Sequence, residues 1–279
     1  MKKLIFISAL IFIFVTLSLT NQAQPRDGVF DKVHVKTRKP ITYAPLREAD
    51  VMWEKRIWRT IDMTQKFNHA FYYPLKPTNG KSSIMSIILT AVESGQIVAY
   101  DSQDDEFLLP APYEQMMAKL NDTTTSTLQR DYPPYDTYDT TIINIFDPAS
   151  VVHIRIKEDW FFDKQRSVLD VRILGICPIT EDYDPATFEF RGYKPLFWIY
   201  FPEARDVFAT FDVFNRNNDA ARLSYEDIFF KRMFQSYIYK ESNVYERTIL
   251  EYELGMNALL ESERIRESIF TFEQDLWEY

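Results

Sequence analysis

Cysteine occurs once, histidine three times and glycine six times in 279 residues. A single cysteine excludes a disulfide framework. It is Cys177, far from the N-terminus, so a lipid-modified N-terminal cysteine is excluded as well. Its setting, "RILGICPI", reads as a small buried hydrophobe rather than a nucleophile. His34, His69 and His153 stand far apart, with no pair at i,i+4 and no H-E-x-x-H, which argues against a zinc protease or a structural zinc site. His153 reads as an exposed strand residue, and His69 as a cap for nearby helix carbonyls. The few glycines form no G-x-G-x-x-G, no Walker loop and no G-x-S-x-G. The usual phosphate cradles and the hydrolase elbow are therefore missing. Basic excess is lacking too: the net charge is −9, against what a generic nucleic-acid binder needs.

What is present is apolar and aromatic. Hydrophobic residues make up 46% of the chain and aromatics 16%, enough for a large core and for rings at interfaces. The chain opens Met1-Lys2-Lys3, runs apolar from Leu4 to Leu19 and reaches a small residue at Ala23. This pattern predicts a secretory signal peptide over 1–23, since the run is short for a membrane span. Cleavage after Ala23 leaves 256 residues with a net charge of −11. The remaining charge is uneven: Gln24–Lys66 carries +4 and Glu241–Tyr279 carries −7. Such asymmetry suits two complementary surfaces that steer assembly. Arg38, Lys39, Lys55, Arg56, Arg59 and Lys66 are the basic candidates for an interface. Glu251, Glu253, Glu261, Glu263 and Glu267 are the acidic ones.

Residues 24–44, polar and basic with two prolines, read as an extended arm. From Pro45 to Asn68 the spacing of Val51, Trp53, Ile57, Trp58 and Ile61 fits one arc of a helix, with Lys55, Arg56, Arg59 and Lys66 on the other side. "KSSIMSIILTAVESGQ" reads as a helix capped by Ser82 or Ser83 and ended by Gly95. "IVAYD" reads as a strand, "EQMMAKL" as a short helix, and 121–150 as a long connector with a strand at Ile142–Phe146. "VVHIRIKEDWFF" and "SVLDVRILGICPI" alternate with period two around Asp163–Arg166, which predicts an antiparallel hairpin. "TFEFRGY" and "PLFWIYF" add strands, and "PEARDVFATFDVF" a helix. From Ser224 the pattern is mostly helical, with an apolar period at Ile249, Tyr252, Met256, Leu259 and Leu260. The expected fold is α+β: an antiparallel sheet with a central hairpin and packed helices. Residues 45–279 form one domain with an acidic, helical C-terminal part from about 224.

For chemistry the sequence offers carboxylates: Asp101, Asp104, Asp105 and Glu106 in one run, and Glu158 with Asp159. Any two could serve as a glycosidase pair if the fold set them about 5–9 Å apart. The aromatic groups at 71–73, 160–162 and 197–201 would suit sugar stacking, although core or interface positions account for them more simply. A periplasmic carbohydrate binder or glycan hydrolase is therefore the alternative reading.

One resemblance points elsewhere. "RKPITYAPLREADV", the "MWEKRIWRTID" segment, the "YYP" after it, "SVLDVRILGICP" and "PLFWIYFPEAR" together resemble the gliding-motility and type IX secretion family GldN, called PorN in non-gliding relatives. The resemblance implies a periplasmic, non-enzymatic protein of Bacteroidota. It also implies assembly into a ring with the outer-membrane lipoprotein GldK (PorK), linked to the GldL–GldM motor. No catalytic, cofactor or metal residues, no nucleic acid and no small-molecule substrate come with it.

Overall fold

The computed structural model describes residues 37–276, apart from 79, 104, 133–135, 185–186, 188, 216–217 and 219. The expected signal peptide and arm residues 24–36, with His34, lie outside the described residues.

The described chain begins as an irregular segment that reaches a single 3-10 turn at Glu48–Asp50. Then come strand β1 (Val51–Asp62), a one-turn helix α1 (His69–Tyr72) and helix α2 (Ile84–Glu93). Short strands β2 (Ala99–Tyr100) and β3 (Pro110–Ala111) precede helix α3 (Tyr113–Leu120). A ribbon of β4 (Asp122–Gln129) and β5 (Thr137–Asn144) leads to the long strands β6 (Val151–Asp163) and β7 (Val168–Tyr183). Strands β8 (Phe190–Pro195) and β9 (Trp198–Tyr200) and helices α4 (Phe201–Ala209) and α5 (Tyr225–Phe230) follow. Strand β10 (Tyr237–Glu241) and helix α6 (Met256–Asp275) close the described chain. All pairings in the main sheet are antiparallel, in the order β10-β1-β6-β7-β9-β2-β3, with β8 also on β7; β4 and β5 pair separately. The fold is α+β, as the sequence predicts.

The hairpin is the spine of the sheet. β6 and β7 pair from Val151↔Thr180 to Asp163↔Val168, with irregularities near Val151 and after Lys157. The turn is held by Asp163, whose carboxylate accepts from the backbone of Gln165 at 2.9 Å and from Arg166 Nε at 2.6 Å. Ser167 closes it at φ 52. Asp163 is thereby held below the usual carboxylate range, chiefly by the Arg166 side chain.

The helices start where the local chemistry places them. The Ser83 hydroxyl accepts from the backbone N–H of Ser86 at the head of α2, and Gly95 stands just beyond its end at φ 70. Ser224 and Asp227 form a reciprocal capping box on α5. The buried stripe Ile84, Ile87, Ile88, Ala91 and Val92 seats α2 in the main core. There Phe71, Phe201, Phe208 and Phe229 pack with ring centroids 5.3–6.0 Å apart. Phe71, Phe161, Phe162, Phe197, Trp198 and Phe201 are buried, so most rings in the three aromatic groups belong to the interior.

Four expectations are corrected. The connector expected over 121–150 is largely the β4–β5 ribbon, and its second strand runs Thr137–Asn144 rather than Ile142–Phe146. The segment predicted as a helix over 45–68 is strand β1, paired to β6 from Val51↔Asp163 to Asp62↔His153 and to β10 on its other edge. Its β-branched and aromatic residues, Val51, Trp53, Ile57, Trp58, Thr60 and Ile61, suit a pleated surface. In a strand Trp53, Lys55, Ile57, Arg59 and Ile61 share one face, and Trp58 turns to the other. The C-terminal region is less helical than expected: β10 interrupts it, and α6 begins only at Met256, after Gly255 at φ 61. Between them the Asn243 side chain organises a turn, accepting from the N–H groups of Tyr245 and Arg247 and donating to Arg247 O. His153 is buried, not exposed, between Asp62 and Glu181 at 3.7 Å each, with Tyr193 edge-on at 4.8 Å.

Candidate functional site

The basic and acidic segments meet inside the protomer. α6 lies on the β1–β10 edge of the sheet and buries Ala258, Ile265 and Ile269 against Ile57, Ile238 and Ile249. Trp53 stacks on Phe272 with centroids 4.6 Å apart. The buried Ser262 hydroxyl accepts from the N–H of Ile238 at 2.8 Å, tying the helix to β10.

The candidate basic residues are largely engaged by this arrangement. Lys55 Nζ lies 2.7 Å from Glu241 across the β1–β10 pair. Arg56 makes a bidentate pair with Asp159, its cross-strand partner, at 2.7 and 2.9 Å. That hydrogen bond raises the pKa of the Arg56 guanidinium. Arg59 is buried and donates to the Ser236 hydroxyl at 2.9 Å. This corrects its expected place on an outer, basic face. Lys39 and Lys66 are exposed.

The acidic residues fall on the outer side of the same region. Glu251 accepts from Thr248 Oγ1 at 3.0 Å. Glu261 pairs with Arg264 and Glu263 with Arg266, each one turn apart on α6. Glu253 is half-buried and Glu267 exposed.

Arg38 belongs to a third group, the contacts of the described arm residues. It donates to the Asp227 carboxylate and to Arg222 O. Tyr43 is clasped by two cations, with Arg205 at 3.9 Å and Arg172 at 5.0 Å from its ring centroid. Arg172 also donates to Ala44 O at 2.6 Å, and Arg205 to Ile41 O. Arg205 is itself buried against Glu226 at 2.6 Å. Residues 38–44 therefore lie along the body in a built seat, which composition alone does not reveal.

Among the described residues, two apolar features stand out as uncovered. Just before and on α6, Val244 is 96% exposed, Leu254 76% and Met256 70%, with Tyr245, Leu259 and Leu260 also outward. Of the apolar period expected here, Ile249 is buried in a 3-10 turn before the helix, while Tyr252, Met256, Leu259 and Leu260 are exposed; the buried stripe of α6 is Ala258, Ser262, Ile265 and Ile269. Large exposed apolar residues gathered in one stretch of the chain are candidates for an interaction site. The second surface is a groove of about 720 Å³ lined by Phe67, Tyr73 and Phe214 among others, with Lys66 at its edge.

The candidate carboxylates have structural partners. Asp101 binds Lys119 at 2.8 Å, which with other hydrogen bonds lowers its pKa. Asp105 accepts from Trp58 Nε1 at 2.8 Å, and its backbone carbonyl accepts from buried Lys157 at 2.6 Å. Glu158, fully buried, is held bidentately by Arg232 at 2.9 and 3.1 Å. Asp104 lies outside the described residues. Cys177 is buried, and burial pushes its thiol up to about 12, which suits a packing role.

The structure is an α+β sheet protein whose candidate carboxylates Asp101, Asp105, Glu158 and Asp159 pair with basic side chains. The family model described as gliding motility associated protein GldN matches residues 46–278, and the chain belongs to that family. It is thus a component of the gliding-motility and type IX secretion machinery and associates with other components of that system. No curated protein matches the chain.

Proposed function

We propose that this chain is a non-enzymatic structural subunit of the type IX secretion and gliding apparatus. In this reading it is exported by its signal peptide, cleaved near Ala23, and works in the periplasm. There it forms a ring with the outer-membrane lipoprotein GldK (PorK), linked through GldM to the GldL–GldM motor. The family match over 46–278 carries the proposal.

Two structural features support it. Ring building needs self-complementary or heterologous contact surfaces, and the exposed residues around Leu254 and Met256 offer apolar area for one. The carboxylates that a hydrolase would need are instead engaged with Lys119, Lys157, Arg56 and Arg232. Residues 45–279 then act as one rigid building block, with the arm as its extension.

Isolation of the tagged full chain from membranes, followed by particle imaging, tests the reading. Recovery in a large ring together with a lipoprotein is expected. A monomer recovered alone that binds glycans saturably would replace this proposal with the carbohydrate-binding one.

A further inference from the structure

We propose that the hollow between β1, β6 and α6 is a binding site for a small anionic ligand, a carboxylate or phosphate, with Arg59 as its buried anchor. The hollow encloses about 540 Å³ and is lined by Arg59, Arg232, Arg266, Trp160, Phe234 and Ser236, together with four neighbours. That volume lies within the range of small-ligand sites, about 300–1,000 Å³. Three guanidinium groups converge on it, and the carboxylates nearby are already engaged.

Glu158 accepts both Arg232 bonds and a third from Trp160 Nε1 at 3.1 Å. Glu263 is paired with Arg266. Arg59, only 8% exposed, has a neutral partner: its Nε donates to the Ser236 hydroxyl at 2.9 Å, and one Nη reaches Ser236 O at 3.5 Å. A buried guanidinium without a carboxylate of its own is costly. Consistent with that, burial pushes its pKa down despite the attraction of Glu158 and Glu263, while Arg232 and Arg266 repel it. Counting the five groups, three positive charges face two negative ones, so one anion completes the site. An arginine fork matches the paired oxygens of carboxylate and phosphate, and the Trp160 and Phe234 rings give the ligand an apolar wall.

Calorimetric titration of the full mature chain with inorganic phosphate and with citrate, at ionic strength fixed with chloride, tests the site. Saturable binding of at least one anion is expected. Arg59→Met should weaken it at least tenfold, while the melting temperature in anion-free buffer stays equal or rises. Arg266→Ala, at an exposed position, should weaken binding several-fold with unchanged melting, so the test does not depend on Arg59→Met folding. Absence of saturable heat with both anions, or equal affinity in wild type and both variants, would overturn the proposal.

Discussion

Arg232→Met should unfold this protein more easily than its surface position suggests. Arg232 is 26% exposed, but its partner Glu158 is fully buried and accepts two of its N–H groups. Removing the cation leaves a carboxylate in the interior with the Trp160 N–H as its remaining side-chain hydrogen bond among the described residues and the Arg59 charge nearby. Breaking a buried pair from one side costs about 3–5 kcal/mol, and partial exposure of the arginine places this case near about 3 kcal/mol. Arg232 sits at φ 53, a conformation that methionine would inherit, so backbone strain cancels in the comparison. With a urea dependence of about 2–3 kcal/mol per molar for a chain of this size, the midpoint should fall by roughly 1 M. Tryptophan fluorescence during urea unfolding reads this directly. Adding Glu158→Gln to Arg232→Met removes the stranded charge, keeps an acceptor for Trp160, and should recover about half of the loss. A midpoint shift below about 0.3 M, with no recovery in the double variant, would show that solvent screens the pair and refute the reasoning.

Other outcomes follow from the same geometry. Gly175→Ala should destabilise the fold by about 1–3 kcal/mol, since a Cβ there would lie 2.5 Å from the Phe107 ring; unchanged thermal stability would mean that Phe107 moves freely. Burial raises the Asp227 carboxyl, but hydrogen bonds from Ser224 and the charges of Arg38 and Lys231 outweigh it, so its folded pKa is depressed. Its contribution is therefore present above about pH 4 and lost as pH falls below that. Wild type should lose urea stability more steeply than Asp227→Asn between pH 5 and 3, and parallel curves would contradict this. Leu254→Asp with Met256→Asp should leave protomer stability within about 0.5 kcal/mol while reducing assembly seen by light scattering; normal assembly would remove this surface from the account.

The hairpin and the caps were legible because their determinants are local. Period-two alternation flanks a turn centred on Asp163, and Ser83 and Ser224 stand directly before their helices. β1 was not, for a specific reason. Trp53, Ile57 and Ile61 are spaced by four, which fits both a helical arc and one face of a strand. Only Trp58 distinguishes the two, and it points to the opposite face, where it packs with Cys177 and Trp198. Charge misled as well. Lys55 and Arg59 look like solvent residues, but their partners Glu241 and Ser236 arrive from the far end of the chain. β10 is only five residues long and is defined by pairing with β1, so no local window announces it. The arginine-lined hollow has the same origin, since residues 59, 160, 232 and 266 converge only after that edge forms. Met256, Leu259 and Leu260 were visible as part of a periodic pattern, but their exposure depends on how α6 docks.

Assembly is tested most directly by the mass of the particle formed when the purified mature chain is mixed with a GldK-type lipoprotein. Light scattering should report a single species many times heavier than the two proteins together. Two separate species at their individual masses, under conditions where both are folded, would contradict it.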